Sequence, residues 1–92
     1  LSSEFPLIYT DTKGVYRNKV TQNGTPLVAA RVALYWRENR LLVAQAVTDV
    51  NGDFEFVGLI PNTPRYFAVA FDPEGGTDQN ALVYDKLTAV VP

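Results

Sequence analysis

Short apolar runs in this chain alternate with clusters of Gly, Pro, Asn and Asp at spacings of roughly 8–12 residues, the rhythm of a β-sandwich or barrel. No stretch holds an apolar 3.6-residue period through three helical turns. The clearest strand pattern spans 30–37. Val32, Leu34 and Trp36 share one face, and Arg31, Ala33, Tyr35 and Arg37 share the other. Only the first set is fully apolar, so it is expected to face a core. Over 53–58, Phe54 and Phe56 point one way and Asp53, Glu55 and Val57 the other, as in a half-buried strand. A first strand is expected over 15–21, a third over 41–48 and a last over 81–91. The third is apolar on both faces, and its orientation stays open. Strand 65–72 sets Tyr66, Ala68 and Ala70 against Phe67, Val69 and Phe71. A strand apolar on both faces is central and covered twice, or it shows one face to a partner. About seven strands in a chain of this length fit a small all-β sandwich.

The turns carry their own chemistry. In "QNGTP", Asn23-Gly24 accepts positive φ and Pro26 fixes the exit. "GLIPNTP", 58–64, is expected to be a loop, and "PEGGTDQN", 73–80, a mobile polar loop. "TDVNGDFEF", 48–56, poses a choice. Asp49, Asn51 and Asp53 stand at alternate positions, as at the start of a calcium loop. Such a loop needs its glycine at the sixth place and a glutamate at the twelfth, and here glycine comes fourth and Ile60 stands twelfth. Asn51-Gly52 between two alternating strands is instead a hairpin signal, which predicts a turn that holds no ion.

Other chemistry finds few residues to work with. The 92 residues include no histidine, cysteine or methionine. No disulfide forms, and the fold relies on packing. Nucleophilic catalysis lacks a base, and the only serines are Ser2 and Ser3. Asp53 and Glu55 read as solvated strand-face carboxylates. Gly75-Gly76 lacks the lysine and the following helix of a phosphate loop. The net charge of −2 offers no basic excess for nucleic acid, and no run of 18 apolar residues exists to span a membrane. The expectation is therefore no catalytic, cofactor or metal site. Residues 1–10 read as an N-terminal extension, linker or cloning remnant, and 11–92 as one domain. With no initiator methionine, the chain is expected to be a fragment or a processed product.

What remains is surface. Arg31, Tyr35 and Arg37 form an exposed aromatic-basic stripe suited to a protein interface, and Phe67 and Phe71 add an apolar face beside it. Tyr84, like Tyr35, is a candidate for stacking on a sugar. These six are the candidate interface residues.

The segment over about residues 14–72 resembles the carboxypeptidase regulatory-like, or transthyretin-like, β-sandwich module. The residues that carry the resemblance are Gly24, Pro26, Val32, Leu34, Thr48, Asp49, Gly52, Phe54, Phe56, Gly58, Leu59, Pro61, Tyr66 and Ala70. "NTPRYF" departs from the shorter spacing usual before that tyrosine. The resemblance implies a seven-stranded Ig-like or transthyretin-like sandwich, and in its hairpin Asp49 is expected to accept backbone N–H bonds of its own turn. The ending "QNALVYDKLTAVVP" is similar to the version of this module in tailed-phage virion proteins. That similarity implies a non-catalytic structural or protein-interaction module in a phage tail or tail fibre, with other virion proteins, or further copies of itself, as partners. A carbohydrate- or cell-surface-binding module, or an accessory domain of an extracellular enzyme, are the rival readings. The fold alone does not choose among them, because such modules are grafted onto many proteins.

Overall fold

The computed structural model describes residues 12–71 and 81–92, Ala81 by its backbone only. The expected extension 1–10 and the polar loop 73–80 lie outside the described residues. The protein is an all-β sandwich of eight strands with no helix among the described residues: β1 Gly14–Lys19, β2 Thr21–Gln22, β3 Thr25–Pro26, β4 Arg31–Trp36, β5 Leu42–Val47, β6 Asp53–Leu59, β7 Tyr66–Phe71 and β8 Ala81–Leu87. The count exceeds the expected seven because "QNGTP" closes its own two-residue-armed hairpin, β2–β3, with φ of 54° at Asn23 and 81° at Gly24.

One layer is a four-stranded antiparallel sheet in the order β5-β4-β7-β8. The other pairs β1 with β6. A bridge between Val15 and Val90 joins the C-terminal residues to the free side of β1. Between the layers, Val32, Leu34, Tyr66, Ala68, Ala70 and Leu87 meet Val20, Phe54, Phe56 and Leu59 in one buried cluster. Trp36 stacks on Tyr66 at the cluster's margin, with ring centroids 5.0 Å apart. The expected core face of β4 is thus the observed one. Strand β7 is one of the two inner strands, between β4 and β8.

Two turns position the layers. Residues 48–53 do not form a hairpin, because β5 lies in the four-stranded sheet and β6 in the other. The turn at Asn51-Gly52 is real, but it carries the chain across the sandwich. Among the non-glycine residues with positive φ, Asn51 is absent, so the two-residue hairpin geometry does not arise; Gly52 alone has φ of 80°. Its N–H donates to the carbonyl of Asp49 at 2.9 Å, and its own carbonyl accepts the Val20 N–H at 2.8 Å. Thr48 then ties the crossing to the loop before β4. Its hydroxyl donates to the Leu27 carbonyl at 2.6 Å and accepts the Ala30 N–H at 2.8 Å, in a buried site.

The other crossing follows β8. A bulge places Leu87 opposite Tyr66 and Tyr84 opposite Ala68, with Lys86 at φ of 55°. The last strand therefore ends at Leu87 and not near 91, and the chain passes to its bridge with β1. The buried Tyr66 pins the loop before β7, its hydroxyl accepting the Ile60 N–H at 2.9 Å. A tyrosine bonded back to the backbone a few residues upstream is a recurrent corner device of β-sandwiches.

Candidate functional site: the outward face of the four-stranded sheet

The ladder registers place the candidate residues. Arg31 lies between Val47 and Phe71, Ala33 between Gln45 and Val69, and Tyr35 between Leu42 and Phe67. Val69 lies beside Val83 on β8. Since Val32, Leu34, Ala68 and Ala70 face the core, all of these point the other way, out of the sandwich. The faces of β5 that the sequence leaves open are settled by pairing: Ala44 and Ala46 oppose Leu34 and Val32 and turn inward, while Gln45 and Val47 turn outward.

Five of the six predicted interface residues therefore meet on one surface: Arg31, Tyr35, Arg37, Phe67 and Phe71. The Tyr35 and Phe67 rings stack at 5.0 Å with 11° between their planes. On the same face Val83 is 66% exposed beside Val69, and Phe71 and Val47 are 45% and 61% exposed on either side of Arg31. Arg37 sits at the rim, its Nε donating to Asp85 Oδ1 at 2.7 Å. Each partner favours the other's charged form: the carboxylate raises the Arg37 pKa, and the guanidinium, then the Lys86 N–H, lowers that of Asp85. The pair is exposed, so it orients the side chains more than it stabilises the fold. Arg31 is exposed, and its side chain has no hydrogen bond or ion pair among the described residues.

Tyr84 is placed elsewhere. It opposes Ala68 on the inward face and lies half-buried, its ring 6.4 Å from Phe54. Burial, then the neighbouring Tyr16, pushes its phenol up from the ordinary tyrosine range. The sequence misses Leu42, Val47 and Val83 as members of the outward face. Their signal is the alternation of 41–47 and 81–85, which can be phased only once the neighbouring strands are known.

The Asp49 carboxylate binds the backbone of its own turn. Asp49 Oδ1 accepts the N–H of Asn51 at 2.8 Å and of Asp53 at 3.0 Å. Those bonds, led by that from Asp53, hold the Asp49 carboxyl below its ordinary pKa. Lys19 Nζ binds the Asn51 carbonyl at 2.8 Å and lies 3.3 Å from Asp53 Oδ1. Arg17 pairs with Glu55 on the same outer side of β1–β6. These groups rim a cleft of about 680 Å³ between β5 and β6, with Ala46, Val47 and Phe54 on its apolar side. Its cations and carboxylates are largely spent on each other. Among the described residues, no three His, Cys, Asp or Glu side chains gather as a metal set. No family model, curated protein or solved structure matches this chain.

Proposed function

We propose that this chain is a non-catalytic structural and protein-interaction module that docks a neighbouring protein on the outward face of its four-stranded sheet. One observation carries the reading. Leu42 flanks the Tyr35–Phe67 stack, Val83 lies beside Val69, and Phe71 and Val47 flank Arg31, all of them exposed on a sheet whose opposite face already supplies the core. Contiguous exposed apolar surface is uncommon on a monomer and marks contact sites. Its rim is cationic at Arg31 and ion-paired at Arg37–Asp85, the pattern of an apolar centre with a polar border. The aromatic pair and the arginines are residue types that dominate binding energy at such centres.

The larger assembly is proposed to be a phage tail or tail fibre, and the module a carboxypeptidase regulatory-like or transthyretin-like sandwich. The support is the resemblance of about residues 14–72 and of the ending "QNALVYDKLTAVVP". A sugar-binding role has less support, because Tyr35 spends one ring face on Phe67 and Tyr84 turns inward.

The test pairs context with surface. Reading frames for tail proteins beside the gene, and this chain in the tail fraction of purified particles, are the expected result. A zinc peptidase in the same chain, or glycan binding that Tyr35→Ala abolishes, overturns it.

A further inference from the structure

The sandwich has several strand edges, and they are guarded unequally. The free side of β1 is bridged by Val90. Strand β6 carries Asp53 and Glu55, each paired with a cation of β1. Strand β8 carries Asp85 and Lys86 and a bulge. Charges and bulges are the usual protection of an edge. Strand β5 reads LVAQAV, without a charge or a proline, and pairs with β4 alone. Its one irregularity is the extra residue between the pairs Leu34–Ala44 and Tyr35–Leu42.

The direction of its backbone groups follows from the two ends of the ladder. Thr48 N–H donates to the Ala30 carbonyl at 2.9 Å, and Trp36 N–H to the Leu41 carbonyl at 3.0 Å. Antiparallel pairs alternate between bonded and non-bonded. Ala46 and Ala44 therefore bond to β4, and Leu42, Gln45 and Val47 turn their N–H and C=O groups to the open side. Among the described residues, no strand receives them.

We infer that this edge pairs antiparallel with β5 of a second copy of the chain, about a two-fold axis at Gln45. The inference is independent of the docking face, since it uses the edge and not the surface of the sheet. Facing residues in an antiparallel pair must be of the same type, both bonded or both not. Gln45 opposite Gln45 of the other copy meets that condition and sets Ala44 against Ala46.

Charge selects a second copy over an unrelated strand. Arg40 lies two residues before β5, and Asp49 two residues past its end. Neither the Arg40 nor the Glu38 side chain has a hydrogen bond or ion pair among the described residues. The two-fold brings the Arg40 end of each copy beside the Asp49 end of the other. It also brings Glu38 toward the Asn51 carbonyl where Lys19 is held. The strand is thus self-complementary in the antiparallel sense, whereas a parallel pairing sets Arg40 against Arg40. The product is a continuous eight-stranded sheet, β8-β7-β4-β5 and its two-fold repeat, which also joins the two outward apolar faces.

The experiment is sedimentation and amide hydrogen exchange of the 92-residue chain over a range of concentrations. The amides of Gln45 and Val47 are expected to gain protection as concentration rises, while Ala44 and Ala46 stay protected throughout. Gln45→Pro removes an outward N–H from each copy and leaves the β4 ladder whole, so self-association is expected to weaken about thirtyfold. Val47→Lys, at an exposed position, is the second variant and places like charges at the seam. Asp49→Asn keeps the turn's acceptor and is expected to weaken pairing a few-fold at low salt, an effect that fades at high salt. A chain monomeric at all concentrations overturns the inference. So does a dimer unaffected by both Gln45→Pro and Val47→Lys. A dimer lost in Phe71→Asp but kept in those two seats the second copy on the sheet face, which overturns the edge pairing and leaves the docking face standing.

Discussion

Asp49 Oδ1 accepts the N–H of Asp53 at 3.0 Å, so the carboxylate closes the turn over the residue that begins the next strand. The same oxygen takes the Asn51 N–H. The ionised form is the one these bonds favour, which is why the folded pKa is depressed. A depressed carboxylate contributes stability that is complete above the unfolded pKa, about 3.9, and is lost as pH falls through the lower folded value. The urea midpoint is therefore expected to drop below about pH 4. In Asp49→Asn, which keeps an acceptor in place, that drop is expected to be shallower. Midpoints measured at neutral and acid pH for both proteins check this. Equal drops contradict it.

Gly52 and Gly24 both have positive φ, and they are expected to differ sharply on substitution. A Cβ on Gly52 would lie 2.8 Å from the Val20 carbonyl oxygen and 3.0 Å from Pro26 Cβ, while one on Gly24 meets nothing within 4 Å. Gly24→Ala is expected to cost about 1 kcal/mol, from backbone strain alone. Gly52→Ala adds the clash and is expected to cost about 3 kcal/mol or more. Chemical unfolding of the two variants side by side measures the difference.

Thr48 fastens the crossing through one hydroxyl that both donates and accepts. Thr48→Val keeps the shape and strands a carbonyl and an N–H in a buried site. The expected loss is about 2 kcal/mol, or roughly 10 °C in midpoint for a domain of this size. Thr48→Ser is expected to recover part of it. Differential scanning calorimetry of the three proteins gives the comparison.

Local pattern and long-range pairing divide what the sequence reveals from what it hides. Strands β4, β6 and β7 lie within a residue or two of their expected limits, because each alternates cleanly and ends at turn residues. Their core faces, Val32 with Leu34 and Phe54 with Phe56, follow from the same alternation. The candidate surface is legible where Arg31, Tyr35 and Arg37 share a strand. Phe67 and Phe71 join it because β7 is apolar on both sides. Strand β5 is equally apolar on both sides, so only its register with β4 reveals that Val47 and Leu42 face outward. Asn51-Gly52 specifies a change of direction but not which strand receives the chain, and so a layer crossing reads as a hairpin. Tyr84 turns inward by its register with Ala68, and its pairing partner is invisible in sequence. The bulge at Lys86 ends the alternation that would have carried the last strand further.

The central claim is that the second apolar face of β7 is surface for a partner and not a second core. Urea unfolding of Phe71→Asp tests it most directly, because a carboxylate is tolerated at a site 45% exposed and ruinous in a packed interior. The account predicts a cooperative transition within about 1 kcal/mol of the parent chain. An unfolded chain, or a loss comparable to that from Phe56→Asp in the core, would contradict it.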